Sequence, residues 1–273
     1  MFTRLLQLGL AACLLLIPVG CGNVNPQSSQ PAPVQTNQPD QSSLAKSELI
    51  IAAAASLTDA LKEMKQTFEQ ENQNITLTYS FGGSGKLAQQ ITQGAPVDLF
   101  LSASKKDMDK LTDNKLVAPE SITTIAHNEL VLITRKDSPL ALHSFEEMNQ
   151  ASIQHLAVGE PNSVPAGRYT KQVLTKLGQW DKLQSKLVFG SDVRQVLTFV
   201  ESGNADAGVV YASDALVSKN VKVLATAKPE WHDPIVYPGA ILGSTTHRKE
   251  AETFLHYLQS EKGQAILHKY GFQ

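Results

Sequence analysis

From residue 49 onward, short apolar runs alternate with stretches whose apolar residues recur at helical spacing, and this alternation limits the chain to a small set of folds. Residues 49–53 and 75–81 read as strands. Between them, Leu57, Ala60, Leu61, Met64 and Phe68 mark one face of a helix over 57–69. A short helix carrying Leu87, Ala88 and Ile91 follows and ends at Gly94, then a strand at 97–101 and a helix at 105–111. Further strands are expected at 130–134, 156–159 and 207–211, and helices at 169–177, 194–201 and 249–258. This βαβα rhythm implies an α/β protein with mostly parallel sheets. One large sheet and a two-lobed arrangement around a cleft both fit the length of 47–273. No self-similar period of 20–50 residues points to a solenoid.

The first 46 residues have a different character. Residues 5–20, LLQLGLAACLLLIPVG, follow Arg4 and are too short an apolar run for a spanning helix, which needs roughly 20 residues. They complete a secretory signal over 1–20. The run ends at Cys21 after Gly20, which resembles a bacterial lipobox, where the cysteine is acylated; Pro18 stands where leucine is usual. From 22 to 46, 17 of 25 residues are Gln, Asn, Ser, Pro or Thr and none is aromatic, so ordering entropy outweighs any burial there. A lipid-anchored disordered linker over 21–46 is expected, averaging about 25–30 Å end to end. Signal, cysteine and linker place the folded part outside the cytoplasmic membrane, on its periplasmic side and tethered to it.

Composition removes several functions. Cys13 and Cys21 are the only cysteines, so nothing beyond residue 21 holds a disulfide or a cysteine-ligated zinc. Lys+Arg is 24 and Asp+Glu is 26, with no basic stripe, which excludes a nucleic-acid binder. The stretch FGGSGKL at 81–87 invites a phosphate-loop reading and fails it. Ser80 occupies the first glycine position, and Leu87 stands where a hydroxyl must hold magnesium. The same stretch misses the hydrolase elbow G-x-S-x-G, because the last position is Lys86. The seven histidines show no H-x-x-x-H spacing.

One arrangement recurs. Four times a small-residue or polar turn leads into a helix, at 54–56, 82–85, 164–167 and 191–193. A helix start carries backbone N–H groups without intrahelical partners and a partial positive charge, and small residues let a ligand approach them. Several such starts facing one cleft bind an anion without a charged side chain. Each turn alone has an ordinary reading as well. Ser56 is an N-cap candidate with Asp59 three residues on, and Pro165 is a common helix-start residue.

The segments AAAASLTDA at 52–60, SFGGSG at 80–85, GAPVDLFLSA at 94–103, AVGEP at 157–161, VPAGRY at 164–169, DVR at 192–194, GVVYASDA at 208–215 and KYGF at 269–272 occur in a characteristic order. In these the chain resembles the molybdate-binding proteins of ABC transporters, over essentially all of 48–273. The resemblance implies a type II periplasmic-binding-protein fold, with two α/β lobes, each a mixed sheet flanked by helices. Its crossovers would lie near 127–128 and 237–238. One lobe would comprise 47–127 and 238–273, and the other 128–237. It implies a monomeric, non-enzymatic receptor that takes no cofactor, binds molybdate or tungstate as cargo, and delivers it to the transporter's membrane permease. Carried over residue by residue, the oxyanion contacts fall on Ser56 and Ser84 by hydroxyl and backbone N–H. From the other lobe come the backbone N–H groups of Ala166 and Val193 and the hydroxyl of Tyr211. Such a donor-only shell suits molybdate, which carries no proton at neutral pH; phosphate keeps one and needs an acceptor, for which Asp192 is the nearest candidate. Arg168 and Arg194 adjoin these positions and are expected to be solvated. The alternatives are a receptor for sulfate or phosphate, or a serine hydrolase using Ser84 or Ser56.

Overall fold

The structure, a computed structural model, describes residues 46–149 and 153–273. The expected signal at 1–20, Cys21 and the linker up to residue 45 lie outside the described residues. The folded part opens with strand β1, Ser47–Ala54, whose residues from Ile51 to Ala54 are all buried. A run apolar on both faces suits a central strand of a covered sheet. A 3-10 turn, Ala55–Leu57, leads into helix α1, Thr58–Glu71. The expected stripe on α1 is buried, and its Phe68 ring meets Phe254 edge-on at 5.1 Å. Strand β2, Ile75–Gly82, helix α2, Ser84–Thr92, strand β3, Leu99–Leu101, helix α3, Lys105–Asp113, and strand β4, Thr123–His127, follow.

The chain then builds a second sheet. Its elements are β5 (Leu130–Arg135), β6 (Leu156–Gly159), α4 (Pro165–Lys176), α5 (Trp180–Leu183), β7 (Leu187–Gly190), α6 (Val193–Glu201), β8 (Ala207–Tyr211), α7 (Ala212–Val217) and β9 (Val221–Thr226). Strand β10, Val236–Ile241, returns to the first sheet, and α8, Arg248–Gln259, and α9, Glu261–Lys269, close against it near α1. The strand orders are β2-β1-β3-β10-β4 and β7-β6-β8-β5-β9.

The expectation of mostly parallel sheets is corrected. β1 pairs in parallel with β2 and β3, but β10 runs antiparallel to β3 and β4. In the second sheet β6 is parallel to β7 and β8, while β5 is antiparallel to β8 and β9. A helical crossover within one sheet returns the chain in the same direction. β5 and β10 instead arrive from the other sheet and enter reversed. β10 gave no strand signal because VYPGAI contains Pro238, which has no N–H to donate. The pairing register shifts between Tyr237 and Pro238 to absorb it.

The topology aims helix starts at one place. β1, β2, β6, β7 and β8 each end at a turn that opens a helix. In α/β sheets, ligands bind beyond the carboxyl ends of such strands.

Candidate functional site

Four helix starts and one strand end converge on a single small cavity of about 10 Å³. Ser56 lies in the 3-10 turn after β1 and Ser84 is the first residue of α2. Ala166 is the second residue of α4, Val193 the first of α6, and Tyr211 the last of β8. All five line the cavity and all are buried. The rest of its lining is alanine, glycine, proline and valine, with no charged side chain. Larger surface hollows, one of about 700 Å³ beside Lys171 and Trp231, are lined by none of the five.

Two of the cavity hydroxyls, those of Ser84 and Tyr211, have a hydrogen to give. Ser84 Oγ accepts from the Ala103 N–H at 3.0 Å, which leaves its own hydrogen unspent. Ser56 Oγ lies 2.9 Å from the Tyr237 hydroxyl. Tyr211 Oη is fully buried without a hydrogen-bond partner, an expensive condition for a phenol unless something else accepts from it. Burial, followed by the nearby Tyr237, Tyr169 and Asp214, pushes the Tyr211 pKa well above its ordinary value, so it keeps its proton. The backbone N–H groups of Ala166 and Val193 sit too early in their helices for intrahelical bonds. Pro165 occupies the first position of α4, as its fixed φ favours.

Ser56 is not a helix N-cap, contrary to the capping-box reading. It sits inside the 3-10 turn, no side chain caps that turn, and its hydroxyl faces Tyr237. Asp59 is drawn to Arg194 instead. Asp192 does cap α6, its Oδ1 accepting from the Gln195 N–H at 3.0 Å, and it does not line the cavity.

The expectation that Arg168 and Arg194 are solvated is overturned. Arg168 pairs with Asp107, whose side chain is wholly buried at the start of α3. Arg194 Nη2 meets Asp59 Oδ2 at 2.7 Å, and its Nε meets Asp214 Oδ1 at 2.6 Å without hydrogen-bond alignment. Burial alone pulls the Arg194 pKa down, but Asp214 and Asp59 together hold it above the ordinary value. Burial pushes the Asp214 carboxyl up to about 6 against the pull of Arg194. The Arg168–Asp107 and Arg194–Asp59 pairs tie α4 and α6 of the second sheet to α3 and α1 of the first, while Asp214, in α7, holds Arg194 from within the second half. The sequence signals for Asp59, Ala103 and Asp214 lay in the quoted segments AAAASLTDA, GAPVDLFLSA and GVVYASDA; Asn128 and Tyr237 were marked only as crossover positions, and Asp107 was not singled out.

The two halves also touch through backbone. The Gly85 N–H donates to Ser163 O at 2.9 Å. A Cβ on Gly85 would stand 2.8 Å from that carbonyl oxygen, and one on Gly83 would stand 2.9 Å from it and from Ser191 O. Glycine at 83 and 85 is what allows so close an approach.

Residues 49–273 match the family described as bacterial extracellular solute-binding protein. The putative ABC transporter substrate-binding lipoprotein YvgL of Bacillus subtilis is 48% identical over 237 residues, covering 87% of this chain and 90% of that protein. The molybdate-binding protein ModA of Haemophilus influenzae is 38% identical over 231 residues, covering 84% and 91%. Among solved structures, the periplasmic molybdate-binding protein of Azotobacter vinelandii superposes with a TM-score of 0.76 at 28% identity, covering 82% of this chain and 98% of that one. The sheet orders, the cavity at the strand ends and these likenesses agree: the chain belongs to the bacterial extracellular solute-binding proteins.

Proposed function

We propose that the cavity holds molybdate or tungstate, and that the protein passes this cargo to the permease of an ABC importer. The observation that carries the reading is the buried convergence of donors without a cation. Three hydroxyls and two helix-start N–H groups face a space where Tyr211 Oη has no partner. Hydrogen bonds to a charged acceptor are roughly twice as strong as neutral ones, so a dianion is held by dipoles alone. The contacts are Ser56, Ser84, Ala166, Val193 and Tyr211. A hydrolase reading gains nothing from the site. A serine nucleophile needs an adjacent base, and the partners of Ser56 and Ser84 are Tyr237 and the Ala103 N–H.

The two sheets act as lobes that close over the anion, 47–127 with 236–273 against 128–235, because Val236 and Tyr237 already pair with β4 of the first sheet and do not precede a crossover at 237–238. The chain passes between the sheets once between His127 and Leu130 and again between Thr226 and Val236, which suits a two-segment hinge. Cys21 carries a lipid anchor, a reading supported by the lipoprotein name of the Bacillus relative. Calorimetric titration with molybdate, tungstate, sulfate and phosphate tests the ligand assignment. Tight binding of the first two, with sulfate and phosphate weaker by decades, is expected. Phosphate or sulfate binding as tightly as molybdate contradicts it.

A further inference from the structure

Behind Ser56 lies a buried hydrogen-bond chain that no cavity contact accounts for. Asn128, in the first passage between the sheets, accepts from the Glu129 N–H through Oδ1 at 2.9 Å. That N–H can only donate, so the atom facing it must be the amide oxygen, which fixes the amide orientation. Asn128 Nδ2 therefore points the other way, donating to Ser213 Oγ at 2.8 Å and to Tyr237 Oη at 3.4 Å. Tyr237 Oη and Ser56 Oγ lie 2.9 Å apart and either could donate; with a hydrogen already arriving at Tyr237 from Asn128, the arrangement that satisfies both hydroxyls has Tyr237 donating to Ser56. Ser56 Oγ then accepts from Tyr237, and its remaining hydrogen is free for the cavity.

We propose that Asn128 and Tyr237 are positioning residues that fix the polarity of Ser56, so that the cavity presents it as a donor and rejects an oxyanion carrying a proton. This rests on the oxyanion reading above. Ser84 is set the same way by the Ala103 N–H. A protonated oxyanion must donate one hydrogen, and a serine that already accepts from one neighbour and aims its own hydrogen at the cavity is a poor partner for it; the badly paired polar contact is costly in a buried site. Burial keeps the Tyr237 proton in place well above the ordinary phenol range. Tyr237 is also wedged edge-on between Tyr211 at 5.9 Å and Phe272 at 5.3 Å, which holds its ring without help from the hydroxyl.

The test compares Tyr237→Phe with the parent full chain by titration with molybdate, sulfate and phosphate near neutral pH. Molybdate and sulfate carry no proton there, and phosphate does. Molybdate and sulfate are expected to weaken together by about 3- to 10-fold, the worth of one neutral hydrogen bond. Phosphate is expected to hold or strengthen, so that the molybdate-to-phosphate ratio narrows while the molybdate-to-sulfate ratio stays. In a Ser56→Ala background, Tyr237→Phe is expected to change molybdate affinity by less than about twofold, because its effect passes through Ser56. Asn128→Ala reaches the same readout from the other end of the chain if the Tyr237 variant melts early. An equal loss for all three anions marks a merely structural role and overturns the proposal, as does an undiminished effect without Ser56. A parent protein that binds no oxyanion removes the underlying reading and this one with it. A parent that binds molybdate, with unchanged ratios in the variants, removes only this one.

Discussion

The cavity and its rim are built from opposite chemistry within a few residues. Ala166 and Val193 line the cavity as backbone, with no charged group beside them. Arg168 and Arg194, two residues and one residue further on, carry full charges and spend them on Asp107, Asp59 and Asp214. A guanidinium inside the cavity would attract any anion. Fixed dipoles ask for particular distances and for an acceptor on every side, and specificity is a difference of affinities. The Arg168–Asp107 and Arg194–Asp59 pairs join helices on opposite sides of the cleft, where, on the proposed reading, they favour the closed arrangement without touching the cargo. On this account selection and closure are separate tasks given to separate chemistries. Variants of the cavity should then change the ranking of anions, and variants of the rim should weaken all anions alike.

The largest effect is expected where both tasks are broken at once. Gly85→Ala places a Cβ 2.8 Å from the Ser163 carbonyl, which is backbone and has little room to give. Blocked closure is expected to weaken molybdate about 100-fold or more. Small-angle scattering should show the same radius of gyration with and without saturating molybdate, whereas the parent contracts. A contracting Gly85→Ala protein would show that this approach is not part of closure.

Ser84→Ala and Tyr211→Phe come next. Each removes one charge-assisted hydrogen bond, worth roughly 1.5–3 kcal/mol, so molybdate binding is expected to fall roughly 10- to 150-fold by calorimetry. The backbone donors remain, and some binding persists. Unchanged affinity in both would remove these hydroxyls from the site.

Rim variants are smaller in effect and different in kind. Asp107→Asn breaks the pair with Arg168, and a common loss of about tenfold is expected for molybdate, tungstate and sulfate, with their order preserved. A changed order would erase the distinction between rim and cavity.

The smallest effect is a pH dependence of stability. Burial raises the Asp214 carboxyl from 3.8 to about 6, so the folded protein holds that proton more tightly than the unfolded chain. Its contribution to stability is full below about pH 4 and is lost as pH rises through about 6. Asp214→Asn does not titrate, so its Tm relative to the parent should climb between about pH 4 and pH 7. A difference in Tm that stays flat across this range would contradict it.

The parts legible in the sequence were those written locally. The turns at 54–56, 82–85, 164–167 and 191–193 show small residues before helical periodicity, and the fold turns all four toward one cavity. The stripe from Leu57 to Phe68 is buried as its spacing implies. The parts that stayed hidden depend on the chain meeting itself far away. Tyr237 reaches Ser56 across 181 positions, and Arg168 reaches Asp107 across 61. No local pattern marks an arginine as paired rather than solvated. The reversed direction of β5 and β10 was missed for the same reason, since direction in a sheet is set by where the chain re-enters it. Ser56 shows the limit most sharply. Its spacing to Asp59 fits a capping box, but a buried tyrosine and an arginine from the other half outcompete the local bonds.

The central claim is that a neutral donor shell holds the anion. A crystal of the protein grown with molybdate, with diffraction recorded on both sides of the molybdenum absorption edge, tests it most directly. The account expects one anomalous peak in the cavity, with oxygens in hydrogen-bond reach of the Ser56, Ser84 and Tyr211 hydroxyls and the Ala166 and Val193 N–H groups. Arg168 and Arg194 should remain on their carboxylates. A peak elsewhere, or an arginine swung in to contact the anion, would contradict it.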